Sequence, residues 1–316
     1  MTIFNKHITI DNIGHLMQLT PELVIGSLIG LLTAFLWAIS TNVYKTQSKE
    51  ATPIAIAALK MWAAMVFMTF IVMLPFRTTP FYVPFDSLLV LVTSVAISLV
   101  IGDMIYLTAQ ERIGVSYAFP IASVYPIFTY IIAITFLGEL VIISRFVGII
   151  VAVTGVSLIS REQAITNASH NLKKFDALGI ALSLIAGLCW ALGSILLQVG
   201  VTDIEPIDAN FIRMLFGGAI FVPVVLTAVN HGMSRPTKRA TKIIVSAGFL
   251  GMTVGSLLYT YAVKLTGASI AALLGSTSPL FAVPISIVLL KESFSRKSIF
   301  AVLLTVFGVA LVILAV

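Results

Sequence analysis

The sequence predicts an all-α integral membrane protein of ten transmembrane helices, arranged as two inverted five-helix repeats. Three observations carry that prediction. The 316 residues are 59% hydrophobic and only 10% charged, with a mean hydropathy of +1.08. The chain breaks into long apolar stretches, and a bilayer core of about 30 Å needs roughly 20 apolar residues per helix. The two halves also match each other at one fixed offset.

Composition excludes whole classes of function. Soluble domains carry roughly 25% charged residues, and this chain has too few to cover a water-facing surface. A soluble enzyme, a nucleic-acid-binding domain and a disordered chain are therefore ruled out. The isoelectric point near 9.5 is basic, but 19 Lys and Arg dispersed over this length form no polyanion-binding patch. The lone cysteine, Cys189, sits in an apolar run and reads as a helix-packing residue. It cannot form an internal disulfide.

The elements follow in order. Residues 1–22 contain Lys6, His7, Asp11, His15 and Glu22 and lack the compact apolar core of a signal peptide, so they read as an N-terminal tail. The first repeat, 23–160, carries apolar spans at 24–44, 53–74, 87–109, 116–137 and 143–160. A polar linker, 161–177, includes Arg161, Glu162, Lys173, Lys174 and Asp176. The second repeat, 178–316, carries spans at 178–199, 207–229, 242–263, 268–290 and 299–316. Continuous Leu, Ile, Val, Ala and Phe runs argue against membrane strands, which alternate over about 10 residues.

The repeat is visible residue by residue. At an offset of 153 positions Gly26 falls on Gly179, and Trp37-Ala38 on Trp190-Ala191. Pro53 falls on Pro206, Lys60 on Arg213, Gly102 on Gly255 and Tyr106 on Tyr259. Ser123 and Pro126 fall on Ser276 and Pro279, and Glu139 on Glu292. No insertion or deletion interrupts the offset. Each unit has an odd number of helices, so the second enters from the opposite side and the repeats are inverted. That architecture recurs in secondary transporters with a midplane site.

This pattern resembles the drug/metabolite transporter superfamily, EamA type, over roughly 22–316. Trp37 and Trp190 in the first helices, Lys60 and Arg213 in the second, and Pro126 and Pro279 in the fourth carry the resemblance. So do the endings Leu137-Gly138-Glu139 and Leu290-Lys291-Glu292. The resemblance implies ten helices, alternating access, and movement of small metabolites or drugs. Lys60 stands where arginine is more typical, and Lys291 replaces a glycine.

Charge inside a membrane costs about 2.5–3.5 kcal/mol per residue at the bilayer centre. Lys60, Asp103 and Arg213 bear that cost. At 1.5 Å per residue, Lys60 falls roughly 10 Å from the start of the second helix and Asp103 roughly 9 Å from the end of the third, on the same side of the membrane, and the two are candidates for an ion pair or a proton-coupling site. The equivalent of Asp103 in the second repeat is Ser256, so Arg213 has no matching carboxylate. Arg213 is a candidate for binding an anionic group of the substrate, through a fork that suits carboxylate or phosphate. The competing reading is that it snorkels or caps backbone carbonyls. Trp37, Trp190, Tyr106 and Tyr259 are candidate cavity-lining residues, and space-filling is the alternative. Pro126 and Pro279 are expected to break the fourth and ninth helices. Ser123, Ser276 and Ser278 lie beside them and are expected to face the cavity, or else to bond to their own helix.

The leading function is secondary transport of small polar metabolites, of the amino acid, organic acid or phosphorylated sugar class, by alternating access around a midplane cavity. The alternative is a proton-coupled exporter of cationic drugs using Asp103. Catalysis is not expected, since the sequence holds no HExxH motif, no intramembrane histidine and no pair of intramembrane carboxylates. No cofactor, metal or nucleic acid is expected; the partners are a small-molecule substrate and the lipid bilayer. The location is the cell membrane, multi-pass. Lys6, Arg77, Arg145 and Lys264 lie on the tail side, and the other basic residues outside the spans, such as Lys173, Arg239 and Arg296, lie opposite. The positive-inside rule then puts both termini outside, whereas the resemblance puts them inside.

Overall fold

The structure is a computed structural model that describes residues 20–47, 49–74, 79–113, 115–167, 176–281, 285 and 296–315. Among these residues it is helical, with no strand. Helices α1 (Pro21–Thr46) and α2 (Pro53–Met73) lead into α3 (Phe85–Val95). A π-helical turn, π1 (Ala96–Gly102), joins α3 to α4 (Asp103–Ile113). Then come α5 (Val115–Ala122), α6 (Tyr125–Leu137) and α7 (Ile143–Asn167). The second half holds α8 (Ala177–Val201), α9 (Pro206–Asn230), α10 (Lys238–Gly248), π2 (Phe249–Gly255), α11 (Ser256–Ser276) and α12 (Arg296–Leu314). Most of the expected tail and part of the linker, together with Glu292, Lys291 and Pro284, lie outside the described residues.

Local chemistry sets the helix starts. Pro53 and Pro206 occupy the first turns of α2 and α9, where a missing N–H costs nothing. Thr52 Oγ1 accepts from Ala55 N at 3.3 Å, and Thr237 Oγ1 caps α10 through Ala240 N at 3.2 Å. Asp176 caps α8 with bonds from Leu178 N at 3.0 Å and Gly179 N at 3.3 Å.

Among the described residues eight helices are long and apolar enough to cross a membrane. The last of them, Lys238–Phe281, is 44 residues long. It is broken at Gly267, whose φ of 81° and ψ of 163° suit only glycine. Ile299–Leu314 is a shorter apolar helix. The outer surface presents Leu28, Phe70, Phe136, Leu226 and Leu303, as lipid contact demands.

The inverted halves interlock rather than sit side by side. Helix α1 packs on π2 and α11, and α8 packs on α3, π1 and α4. The first helix of each half therefore rests on the third span of the other. The second helices α2 and α9 face each other around Met61, Met68, Met214 and Phe221. The fifth helices α7 and α12 also pair, and at Gly155 and Gly308 a Cβ would collide with the facing backbone.

The two π turns fall at matching positions of the repeats. So do two tight turns before the prolines. Val124 N bonds Ile121 O at 3.4 Å and Ile127 N bonds Val124 O at 2.9 Å; in the second half Thr277 N bonds Leu274 O at 3.1 Å and Leu280 N bonds Thr277 O at 2.8 Å. The fourth span thus pauses at Ser123–Val124 and restarts with Pro126 in the first turn of α6.

Candidate substrate site

The site lies where the interlocked halves meet. In the first half Lys60 Nζ donates to Asp103 Oδ2 at 3.0 Å, with both side chains less than one-fifth exposed. Trp190 Nε1, from the other half, donates to Asp103 Oδ1 at 3.0 Å. One carboxylate is thus shared between a cation on α2 and an indole on α8. The π1 turn ends at Gly102, directly before Asp103. A Cβ on Gly102 would sit 3.2 Å from Trp190 Cδ1 and 3.0 Å from Cys189 Cβ, so this glycine lets the indole approach the carboxylate. Cys189 acts there as packing.

The second half repeats the scaffold with different chemistry. A Cβ on Gly255 would lie 3.0 Å from both Cδ1 and Nε1 of Trp37. With Ser256 in place of Asp103, Trp37 Nε1 donates instead to the backbone carbonyl of Gly251, at 3.0 Å. That carbonyl also receives Ser256 N across the π2 turn. Ser256 Oγ donates to Asn210 Oδ1 at 2.9 Å, and Thr260 Oγ1 lies 3.4 Å from the same oxygen. Arg213 is buried, at 4% exposure. Its Nε and Nη1, and the Nδ2 of Asn210, have no hydrogen-bond partner among the described residues.

Aromatic rings bridge the two constellations. Trp37 packs on Tyr259 with ring centroids 5.2 Å apart, and Trp190 on Tyr106 at 5.0 Å. These are equivalent cross-half pairs. Tyr125 lies edge-on to Trp190 at 5.9 Å, and its hydroxyl donates to Ala272 O at 2.7 Å. Ser194 Oγ and Tyr259 Oη are 2.8 Å apart. Trp37, Tyr125 and Tyr259 converge on Gly275, where a Cβ would lie 3.0 Å from Trp37 Cζ3, 3.3 Å from Tyr125 Oη and 3.4 Å from Tyr259 Cε2.

The structure therefore brings together Lys60, Asp103, Trp190 and Tyr106, and separately Trp37 and Tyr259. The serines beside the prolines sit differently. Ser276 Oγ bonds Leu273 O at 2.7 Å, Thr277 Oγ1 bonds Leu274 O at 2.6 Å, and Ser278 Oγ bonds Gly275 O at 2.9 Å. All three satisfy the preceding turn of their own helix. Ser123, Pro126 and Pro279 are buried. Asn210, Tyr125, Ser194 and the Gly251 carbonyl belong to the site but escaped sequence reasoning. Asn210 stands three residues before Arg213, one helical turn away on the same face, and that spacing was the available signal. A groove of about 370 Å³ beside Tyr117, Pro120, Ser157 and Arg161 shares no residue with this cluster.

Comparison with known proteins identifies the family and the fold. A sequence model of the EamA-like transporter family matches residues 24–161 and again 177–314. An uncharacterized transporter of Archaeoglobus fulgidus is 31% identical over 135 residues, 43% of this chain and 48% of that protein. The uncharacterized transporter YdfC of Bacillus subtilis is 31% identical over 143 residues, 43% of this chain and 45% of YdfC. The uncharacterized transporter sll1319 of Synechocystis is 25% identical over 188 residues, 59% of this chain and 55% of its own. The matched region spans about half the length of each of these relatives. One solved crystal structure superposes with a TM-score of 0.72 over 91% of this chain and 96% of its own, at 16% identity, which is a likeness of fold alone. The chain belongs to the EamA-like transporter family.

Proposed function

We propose that the protein is a secondary transporter of small polar metabolites, of the amino acid, organic acid or phosphorylated sugar class, working by alternating access. The supporting observation is the pair of cross-half constellations, Lys60–Asp103–Trp190 and Trp37–Tyr259, with the Arg213 charge buried in the second half. Buried charge is expensive in a membrane interior and marks a pathway for polar solutes. Each tryptophan belongs to one half and rests on the π turn of the other. Rocking one half against the other therefore repacks the cluster and exposes it to alternate sides, the mode expected of inverted repeats.

Export of cationic drugs by proton exchange would use Asp103 as the cation acceptor. In this structure the carboxylate is already matched by Lys60 at 3.0 Å, which favours the metabolite reading. The 1–22 tail, the 23–160 and 178–316 repeats and the 161–177 linker are the units on which this mechanism is drawn.

The test is uptake by proteoliposomes of purified protein, preloaded with one unlabelled solute and offered the same solute radiolabelled outside. The panel holds amino acids, organic acids, sugar phosphates and lipophilic cations. Counterflow of a polar metabolite supports the proposal. Counterflow of lipophilic cations alone, abolished by Asp103→Asn, replaces it with the drug-export reading.

A further inference from the structure

The two halves form a natural comparison of one scaffold with and without a carboxylate. In the first half the position after the π turn is Asp103, and it gathers two donors: Lys60 Nζ and Trp190 Nε1, each at 3.0 Å. In the second half the same position is Ser256. The equivalent cation, Arg213, is buried with Nε and Nη1 unpartnered. The equivalent indole, Trp37, turns to the Gly251 carbonyl, which already accepts the Ser256 amide. The carbonyl equivalent to Gly251 in the first half belongs to Ser98. It takes the Asp103 amide, while Trp190 takes the Asp103 carboxylate. So where a carboxylate is present the indole binds it, and where none is present the indole falls back on the backbone.

We infer that the second half is completed by the carboxylate of the transported solute, which occupies the place that Asp103 holds in the first half. This inference rests on the transport reading and narrows its substrate to carboxylates. At Arg213 and Asn210 the atoms unpartnered among the described residues are all donors: two N–H sites of a guanidinium and the amide of Asn210, itself 0% exposed. A buried donor without a partner keeps its full desolvation penalty, and a charged one keeps more. An acceptor-only anion removes that cost, and a guanidinium binds a carboxylate through charge-assisted bonds. A cation or a neutral donor-rich solute would leave it in place. The chain also needs only one such ligand, because Lys60 has its own internal anion. Arg213 and Trp37 hold the carboxylate; Asn210, one turn from Arg213, contributes its amide. Tyr259 packs on Trp37 and positions it.

The key variant is Ser256→Asp, which builds the missing carboxylate into the chain. The experiment is thermal melting of the full-length protein in detergent, with sodium acetate, succinate, glutamate or phosphate against matched sodium chloride. Wild type is expected to gain about 3–6 °C with at least one carboxylate at saturating concentration, since ligand binding raises stability with ligand excess over Kd. Ser256→Asp is expected to melt higher than wild type without ligand and to lose the carboxylate response. Ser256→Asn fills the same place without the charge and should lose the carboxylate response with little of the gain in ligand-free melting temperature. Arg213→Gln should abolish it, and Trp37→Phe should weaken it several-fold in apparent affinity. An equal carboxylate response in wild type, Ser256→Asp and Arg213→Gln overturns the inference, as does a response to phosphate or chloride alone. If Ser256→Asp does not fold, the ordered losses in Arg213→Gln and Trp37→Phe decide the matter. A carboxylate response that depends on Arg213, in a protein that shows no counterflow, leaves the site standing and removes the transport reading. Counterflow of carboxylates unchanged by Arg213→Gln does the reverse.

Discussion

Replacing Asp103 by alanine strands two donors at once, the ammonium of Lys60 and the indole N–H of Trp190. Breaking a fully buried ion pair costs about 3–5 kcal/mol. Here the side chains keep 18% and 16% exposure, so Asp103→Ala is expected to cost about 2 kcal/mol after that discount. The double variant Lys60→Met with Asp103→Leu removes both charges and should lie closer to wild type than Asp103→Ala alone. Denaturant unfolding of the four proteins of this cycle in detergent measures the coupling. A double variant as damaged as the sum of its singles would deny the pair any energetic role. At this scale the sequence exposed Lys60, Asp103 and Arg213 because a membrane makes charge conspicuous. It could not show that Trp190 joins Asp103, since that bond crosses 87 residues.

At the scale of elements, backbone geometry governs. Gly267 breaks the long helical run in the second half with φ 81° and ψ 163°. Only glycine holds that region readily, and another residue there costs about 1–3 kcal/mol. Gly267→Ala should therefore lower the melting temperature by several degrees, although its Cβ meets nothing closer than 3.6 Å, at Gln198. A neutral result would show that the helix reshapes freely at this point. The start of α8 offers a pH-dependent counterpart. Slight burial raises the pKa of Asp176, but the hydrogen bond and charge of Arg112, at 2.8 Å, and the amides of Gly179 and Leu178 outweigh it and hold the pKa below the ordinary 3.8. A carboxylate with a lowered pKa stabilises the fold above its unfolded-state pKa. That contribution fades as pH falls through the lowered folded value. Wild type should melt above Asp176→Asn at neutral pH, and the two should converge once the pH has fallen below the ordinary carboxylate range, where Asp176 protonates. Melting curves across pH read this directly. The π turns were not legible in the sequence, because an extra residue in a helical turn leaves the apolar pattern intact. Their equivalence, Ala96–Gly102 and Phe249–Gly255, appears only once the backbone is traced.

At the scale of the molecule, inverted symmetry makes a topological prediction. Residues one repeat apart lie on opposite sides of the membrane. Asp86 and Arg239 are such a pair, and both are exposed. In a Cys189→Ser background, Asp86→Cys and Arg239→Cys should each react with an impermeant maleimide from one side only, and from different sides. By the positive-inside rule the basic residues of the 235–242 segment predict labelling of Arg239→Cys from the cytoplasmic side. Labelling of both positions from the same side would remove the inverted arrangement. Labelling of Arg239→Cys from outside would overturn the charge-based orientation and favour both termini inside.

The sequence by itself determined the class of protein, the approximate spans and the duplication. Hydropathy is additive along the chain, and a fixed offset of Trp, Pro, Gly and basic residues survives without any knowledge of contacts. It also singled out Lys60, Asp103 and Arg213 by their charge, but not Asp208, which is buried in α9. What only the tertiary structure decided is partnership. It set Trp190 on Asp103 and Trp37 on a backbone carbonyl, and it buried Arg213 with Nε and Nη1 unpartnered among the described residues. It also turned the hydroxyls of Ser276 and Ser278 back onto their own helix. The reason is that the first helix of each half packs against the third span of the other. Residues far apart in sequence therefore meet at two π turns, and no local pattern encodes which donor finds which acceptor there.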